Sequence, residues 1–259
     1  MAETPTADAL IATAAAGWGY AESTQVDGWH LRAAEGFTHR ANSAWPLGPL
    51  ERPLPDAVSA VQAWYAERGL PALVQVAVGS ELDLALVELG HERADALAWR
   101  QVANVSEVLD TLLSVAPIGV KETFTDEPTD DWLSLYRSGT VPPVARQVLG
   151  SGESVRFATI YDSDTGAPVA IGRAAVVPAA GADGQDGSRW VGLSAIETAP
   201  SARRRGLAKL VMDALLEWAD EQGATDAFLE VTPDNEAAVG LYAALGFTTH
   251  HEFHCRVIG

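Results

Sequence analysis

Apolar and polar positions along this chain follow two spacings, one that predicts helices and one that predicts strands. After Gly206 the apolar residues recur every three or four positions, which indicates an amphipathic helix with one buried face. These residues are Leu207, Leu210, Val211, Ala214, Leu215 and Trp218. Before this helix, residues 190–200 form a largely apolar segment that ends in proline, which predicts a strand. The pattern here therefore predicts a strand, a turn and a helix in succession.

A second pattern suggests that one structural unit occurs twice. Residues 63–69 and 217–223 each contain a tryptophan, a polar tail and a terminal glycine, which is typical of a helix end. A short apolar strand and another helix follow each of them. These are strands 72–77 and 227–231 and helices 81–89 and 235–245. We expect two copies of a helix–strand–helix–strand unit; a chance match within any α/β chain is the alternative.

The rest of the chain divides into shorter predicted elements. They are strands 29–33, 38–44, 155–161 and 169–177, helices 132–137 and 144–149, a proline-rich loop 46–55 before a helix starting near Asp56, and an exposed hairpin loop 179–188. Residues 114–131 contain proline, glycine and acidic residues and are predicted to be a linker. We therefore expect two domains, residues 1–118 and residues 119–259.

Composition narrows the range of partners. The chain has 259 residues and a formal net charge of −18, which disfavours nucleic acid and anionic membranes as partners. A single cysteine excludes an intramolecular disulfide framework. Residues 1–16 lack the pattern of a secretory signal, and no apolar run approaches the roughly 20 residues that span a bilayer. We expect a cytoplasmic protein, either a monomer or a homodimer.

The turn between the predicted strand and helix at residues 203–208 favours an anionic ligand. It contains Arg203, Arg204, Arg205, Gly206, Leu207 and Ala208. The first amides of a helix have no partner within it and lie at the positive end of its dipole, so they attract phosphate. Gly206 and Ala208 have small side chains that let a phosphate approach the backbone.

Two motifs at a suitable separation resemble the GNAT superfamily of N-acetyltransferases. Residues 203–208 match the acyl-CoA pyrophosphate loop of that family, Gln or Arg-x-x-Gly-x-Gly or Ala. A second motif is matched by Asn235, Ala238, Leu241, Tyr242, Gly246 and Phe247. The resemblance covers about residues 121–259. It implies an α/β (α+β) fold with a mixed central sheet and flanking helices, and the repeat extends this to two GNAT-like acyl-CoA N-acyltransferase domains in tandem.

The resemblance also implies a site for acetyl-CoA as co-substrate. Residues 203–208 would hold its pyrophosphate, and Ile196, Glu197 and Thr198 would pair with the pantetheine arm. In this family that strand splays from the next one, here 227–231, to admit the thioester. Asn235 would hydrogen-bond the pantetheine or the thioester end.

Two side chains are the candidate catalytic groups that the resemblance implies. Tyr242 occupies the position of the general acid that protonates the departing thiolate, and a phenol with a pKa of about 10 is suited to this role. The amine must lose a proton before it attacks, and Glu197 is the candidate base. The alternatives are that Tyr242 only packs against the co-substrate and that Glu197 only pairs with a nearby arginine.

The first half of the chain departs from the family pattern. No Arg-x-x-Gly-x-Gly motif occurs near residues 47–55, and prolines there remove amides that could bind phosphate. In the aligned repeat, Gly79 stands opposite Asn235 and Leu86 opposite Tyr242. We therefore expect a degenerate GNAT-like N-terminal domain in 1–118, with a structural role, and the catalytic domain in 119–259.

Two clusters of polar residues have no function assigned by the motifs. His250, Glu252 and His254 would share one face of a strand, but the family needs no metal and we expect none. A second cluster consists of His39, Arg40, Asn42 and Ser43; it either lines a polar acceptor pocket between the domains or only satisfies the hydrogen bonds of a strand and its turn. We expect acetyl transfer to the amine of a small molecule or peptide. The alternatives are transfer of a longer acyl group and a non-catalytic acyl-CoA sensor.

Overall fold

The computed structural model describes residues 5–94, 96–112, 118–181 and 187–259, which form helices and strands in a mixed order. The α-helices are α1 (Ala7–Ala16), α2 (Leu54–Ala66), α3 (Glu81–Glu88), α4 (Val105–Leu112), α5 (Asp130–Leu135), α6 (Val144–Gly150), α7 (Leu207–Glu221) and α8 (Glu236–Ala244). The strands are β1 (Glu22–Val26), β2 (Trp29–Ala33), β3 (Ala44–Pro46), β4 (Leu73–Ala77), β5 (Ala98–Asn104), β6 (Val120–Thr125), β7 (Ser154–Asp162), β8 (Pro168–Pro178), β9 (Arg189–Thr198), β10 (Ala224–Val231) and β11 (Thr248–Val257).

The strands of this described part form one mixed sheet. Its order is β1-β2-β3-β4-β11-β5-β10-β9-β8-β7-β6. The β3–β4 and β9–β10 pairs are parallel, and the other neighbours are antiparallel. The expected mixed central sheet with flanking helices is therefore confirmed.

The two halves of the chain exchange strands at the centre of this sheet. Strand β5, from the first half, lies between β10 and β11 and pairs with both. Strand β11 in turn pairs with β4 of the first half, with Cys255 opposite Gln75. The predicted division at residue 118 stays a prediction, and the hydrogen-bonded ladders run across it.

Strands β9 and β10 separate at one end, as the resemblance implied. Their parallel ladder runs from Ala224 opposite Arg189 to Leu229 opposite Leu193 and ends there. Strand β9 continues to Thr198 and pairs only with β8 over this stretch. A bulge follows the separation, because Ala195 has a φ of 54° and the β8–β9 register shifts between Ile171 and Arg173. The gap opens where the candidate residues of β9 lie.

Helices cover both faces of the sheet beside this gap. On one face, α7 packs so closely on β8 that a Cβ at Gly172 would overlap Val211 Cγ1. On the other face, Trp132 of α5 donates a hydrogen bond from its indole nitrogen to the Gly172 carbonyl at 3.0 Å. Buried apolar residues of α4, α7, α8 and the strands form the core on the α7 side. Strand β8 is thus fixed from both sides.

The helices and strands predicted for both copies of the repeat are present in the structure. The first runs through α2, β4, α3 and β5, and the second through α7, β10, α8 and β11. The hairpin between β8 and β9 is also confirmed, since the Ala179 amide donates to the Ser188 carbonyl at 2.9 Å. Residues 182–186 of that predicted loop lie outside the described residues.

Two predictions from the sequence are wrong. Residues 38–44 do not form a strand: a 3₁₀ turn covers His39–Ala41, and β3 begins only at Ala44. Thr38 has a φ of 60°, and the Asn42 side-chain oxygen accepts hydrogen bonds from the amides of Ala34 and Gly36 at 2.8 and 3.0 Å. Such side-chain bonds compete with a strand ladder.

The second error concerns the predicted linker 114–131. Its residues Val120–Thr125 form β6, an edge strand paired antiparallel with β7. Most side chains of β6 are polar, which suits an edge position, and the flanking glycine and prolines are more typical of a loop than of a strand. Residues 113–117 of the predicted linker lie outside the described residues.

Candidate active site

The turn at residues 203–208 has a backbone suited to bind an anion. Arg203 is extended, whereas Arg204 and Gly206 are left-handed, with φ values of 60° and 80°. Gly206 precedes the first residue of α7, and its carbonyl accepts the Leu210 amide at 3.1 Å. No side chain caps the helix at Gly206, and the first amides of α7 lie at the positive end of a fifteen-residue helix.

The three arginines of this turn have different surroundings. Arg203 and Arg204 line an open cleft, together with Lys209 from the first turn of α7. Arg205 instead forms an ion pair with Asp162 of β7, with Nη1 3.3 Å from Oδ2. Two arginines and a lysine therefore face the cleft, and Arg205 ties the turn to the neighbouring strand.

The cleft has a volume of about 560 Å³ and runs from this turn to the gap between β9 and β10. Every predicted site residue except Arg205 lines it. Those residues are Ile196, Glu197, Thr198, Arg203, Arg204, Gly206, Leu207, Ala208, Asn235 and Tyr242. Lys209, Ala237, Ala238 and Leu241 also line it; the second motif contains Ala238 and Leu241, but none of the four was predicted as a site residue. The helical spacing of Ala238, Leu241 and Tyr242 could have placed them on one face of α8.

Glu197 lies at the inner end of this cleft on the separated part of β9. The Arg137 backbone amide donates to its carboxylate, at 3.2 Å to Oε2 and 3.4 Å to Oε1. Burial raises the pKa of Glu197, and the hydrogen bond and charge of Arg137 oppose that rise without cancelling it. Residues Arg137, Ser138 and Gly139 all have positive φ, and this unusual turn brings the amide to Glu197. No sequence signal had identified Arg137.

Tyr242 contributes a neutral phenol to the same cleft from α8. Burial raises its pKa to about 12, so the hydroxyl keeps its proton at neutral pH. Its ring packs against Phe247, with centroids 6.0 Å apart. Within the described residues no hydrogen bond reaches this hydroxyl, which leaves it able to donate to a ligand.

Asn235 marks the start of α8 at the rim of the cleft. Its side-chain oxygen accepts the Ala238 amide at 3.3 Å and so caps the helix. The side-chain NH₂ group is on the opposite side of the amide and can donate to a ligand. One residue thus fixes the end of a helix and offers a donor to the cleft.

The three residues of β11 considered as metal ligands, His250, Glu252 and His254, each contact a different residue. His254 contacts Asp83, with Nε2 3.0 Å from Oδ1, whereas Glu252 accepts the indole N–H of Trp99 at 3.0 Å. His250 lies in an irregular stretch of β11 and contacts the Pro5 carbonyl through Nε2 at 2.8 Å. The described residues contain no group of three or more candidate metal ligands.

The polar cluster of the first half is divided between two roles. Asn42 is structural, because its side-chain NH₂ also donates to the Phe37 and Thr38 carbonyls, each at 2.8 Å. Arg40 points instead to β10 of the second half, where its Nε lies 3.4 Å from Glu230 Oε2. Glu230 also pairs with the fully buried Arg100 at 2.6 Å. Burial would raise the pKa of Glu230, but the two guanidinium groups outweigh burial and lower it.

Comparison with known proteins agrees with this architecture. A family model described as the C-terminal part of the probable histone acetyltransferase Rv0428c matches residues 5–256. The chain is 35% identical over 251 residues to the probable histone acetyltransferase Rv0428c of Mycobacterium tuberculosis (strain ATCC 25618 / H37Rv), covering 96% of this chain and 72% of that protein. It is 28% identical over 254 residues to the uncharacterized N-acetyltransferase YobR of Bacillus subtilis (strain 168), covering 94% and 95% of the two chains.

Solved structures share the fold at lower identity. A GCN5-related N-acetyltransferase from Kribbella flavida superposes with a TM-score of 0.70 at 17% identity, over 98% of this chain and 96% of that one. A tandem GNAT protein from the clavulanic acid biosynthesis pathway gives a TM-score of 0.61 at 15% identity, over 84% and 75% of the two chains. No helix within the described ranges is long and apolar enough to cross a membrane. Because the family match covers nearly the whole chain and a relative is 35% identical, this protein belongs to the family of the Rv0428c C-terminal region, within the GNAT N-acetyltransferases.

Proposed function

We propose that this protein transfers an acetyl group from acetyl-CoA directly to an amine within a ternary complex. The observation that carries the proposal is one cleft lined both by a helix start suited to an anion and by two groups of suitable chemistry, Glu197 and Tyr242. The turn at residues 203–208 would hold the pyrophosphate through backbone amides, assisted by Arg203, Arg204 and Lys209. The thioester would enter the gap between β9 and β10.

The roles that we propose for Glu197 and Tyr242 require an ionised carboxylate and a neutral phenol. Glu197, when ionised, accepts the proton of the acceptor ammonium, directly or through water, so that the amine nitrogen can attack the thioester carbon. The carbon–nitrogen bond forms and the carbon–sulphur bond breaks. Tyr242 donates its hydroxyl proton to the departing sulphur, which leaves neutral CoA thiol, and the proton that the attacking nitrogen loses as the amide forms restores the phenol, directly or through water. A pKa of about 12 keeps that proton on Tyr242 until the thiolate develops.

A cationic acceptor is favoured by the charge of the chain. The formal net charge of −18 attracts polyamines, aminoglycosides or basic peptides towards the protein. One relative is named as a probable histone acetyltransferase, so lysine-rich peptides belong in the first acceptor panel. The two rival proposals are transfer of a longer acyl chain and acyl-CoA sensing without turnover.

Release of free thiol from acetyl-CoA across a panel of amines tests the proposal. We expect acceptor-dependent turnover by the wild-type protein and a kcat at least tenfold lower for Tyr242→Phe, with the KM for acetyl-CoA within threefold. Tyr65→Phe is the matched control, since Tyr65 is a buried tyrosine outside the cleft that bonds the Arg32 carbonyl. Tight binding of acetyl-CoA without turnover on any amine would favour the sensor. Faster turnover with longer acyl-CoA thioesters would favour the other rival.

A further inference from the structure

A buried arginine without an acidic partner lies in the first half of the chain. Arg32 of β2 is 3% exposed. Burial lowers its pKa to about 10, so the guanidinium remains charged at neutral pH, and the neighbouring ionisable groups are Tyr20 and Tyr65. A buried charge is costly unless another group compensates it. No carboxylate among the described residues neutralises the charge of Arg32. The burial of this charge therefore requires another explanation.

The hydrogen bonds of Arg32 leave donors for another group. Its Nη1 donates to the Trp18 carbonyl at 3.2 Å, and Nε and Nη2 both approach His30 Nδ1 at 3.4 Å. These contacts use three of the five guanidinium N–H groups. Two of the three, those of Nε and Nη2, are directed at the same acceptor, His30 Nδ1, and both distances are long. Burial and the charge of Arg32 lower the pKa of His30 to about 4, so His30 is neutral at pH 7 and adds no negative charge.

Other buried arginines of the described chain are satisfied differently. Arg173 donates to three backbone carbonyls, those of Leu149, Gly17 and Ser151, at 2.8 to 3.2 Å. Arg100 pairs with the Glu230 carboxylate at 2.6 Å. Arg32 has neither a full set of carbonyls nor a carboxylate, which distinguishes it from both.

A cavity of about 530 Å³ adjoins this arginine. Arg32 and His30 line it, together with Trp18, Tyr20, Ala16 and the backbone turn at Ser151. Aromatic rings flank the guanidinium, whose carbon lies 5.1 Å from the Tyr20 ring centroid and 5.0 Å from that of Trp45. The cavity shares no lining residue with the cleft of Glu197 and Tyr242. It is a separate space whose lining contains one cation and a mixture of apolar and polar groups.

We propose that this cavity binds a small carboxylate with an apolar body, its carboxylate on Arg32 and its body among the alanines and aromatic rings of α1 and residues 18–20. A guanidinium offers a carboxylate parallel N–H donors in one plane, and low exposure strengthens such a pair. Apolar walls with a few placed polar groups are the usual composition of a small-molecule site. The ligand would supply the negative charge that Arg32 lacks.

Titration with benzoate and with its neutral analogue benzamide tests this site. Binding is measured by calorimetry or ligand-detected NMR at constant ionic strength. We expect saturable binding of benzoate to the wild-type protein, and at least tenfold weaker binding of benzamide. Arg32→Gln should weaken benzoate binding at least tenfold, whereas Arg146→Gln, which changes a half-exposed arginine outside the cavity, should leave it unchanged.

A second variant covers the case in which Arg32→Gln does not fold. Ala16 lies at the exposed end of α1 and lines the cavity, so Ala16→Trp should fill the space while leaving Arg32 in place. We expect loss of benzoate binding and an unchanged unfolding transition. Three results would overturn the proposal. They are absence of saturable benzoate binding to the wild-type protein, benzoate binding by both variants as tight as by the wild-type protein, and displacement of benzoate by CoA. None of these readouts depends on acetyl transfer, so they are independent of the proposed activity.

Discussion

The backbone amide of Arg137 donates a hydrogen bond to the carboxylate of Glu197, with the nitrogen 3.2 Å from Oε2, across 60 positions of sequence. The donor belongs to a left-handed turn after α5, and the acceptor to the separated end of β9. This contact orients the proposed base at the gap between β9 and β10. Because the donor is a backbone group, substitution of the Arg137 side chain would not remove it.

Glu197→Gln should lower kcat about 100-fold, since a positioned general base contributes at least this factor. The KM for acetyl-CoA should stay within threefold. The kcat of the wild-type protein should rise as the pH increases through the raised pKa of Glu197, because only the ionised carboxylate can accept a proton. Steady-state rates between pH 4.5 and 8 measure both effects. Glu217→Gln, on the exposed face of α7, is the control and should leave kcat unchanged. An unchanged kcat in Glu197→Gln would show that Glu197 is not the general base.

Gly206→Ala should weaken acetyl-CoA binding about tenfold, while Gly223→Ala should not. The two glycines flank α7 and have φ values of 80° and 81°, and a Cβ added at either would meet no atom within 4 Å. Alanine in this conformation costs about 1 kcal/mol, so the free energy of unfolding should fall equally in both. Only Gly206 lies on the proposed phosphate turn. Calorimetric titration with acetyl-CoA and urea unfolding separate the two effects, and equal affinities would argue against phosphate binding there.

Asp83→Ala should reduce the free energy of unfolding by about 3 kcal/mol, because it leaves the partly buried guanidinium of Arg256 and the buried imidazole of His254 without their carboxylate partner. Asp83 accepts from Arg256 Nε at 2.7 Å and from the Gly79 amide at 2.9 Å, and it contacts His254 at 3.0 Å. Burial would raise its pKa, but these hydrogen bonds and charges outweigh burial and lower it. Urea unfolding at pH 7 measures the loss. Asp110→Ala, at an exposed position of α4, should change stability by less than about 0.5 kcal/mol.

A fragment of residues 119–259 should fail to fold on its own. It lacks β5, which supplies the antiparallel partner of β10 from Asp226 to Val231 and also pairs with β11. Without β5 the centre of the sheet would expose unpaired backbone groups and apolar surface. Circular dichroism and urea unfolding of the fragment, alone and mixed with residues 1–118, measure this. Cooperative unfolding of the isolated fragment would contradict the expectation, and recovery of the transition on mixing would support it.

The sequence by itself determined the elements whose signals are local. The spacing of apolar residues predicted α7, and the motif from Asn235 to Phe247 predicted α8, because one face of a helix repeats every 3.6 residues. The turn that we propose to bind an anion was predicted from glycine and from the unpaired amides of a helix start. Where side-chain hydrogen bonds compete with the strand ladder, as at Asn42, the local signal was misleading.

Only the tertiary structure decided which distant segments meet. The placement of β5 between β10 and β11, the contact of Arg137 with Glu197, and the ion pair that draws Arg205 to Asp162 join residues far apart in the chain. A strand of given composition can pair with many others, and its partner is chosen by packing of the whole sheet. The sequence therefore specified the turn at residues 203–208, and the fold decided that two of its arginines face the cleft and that Arg205 does not.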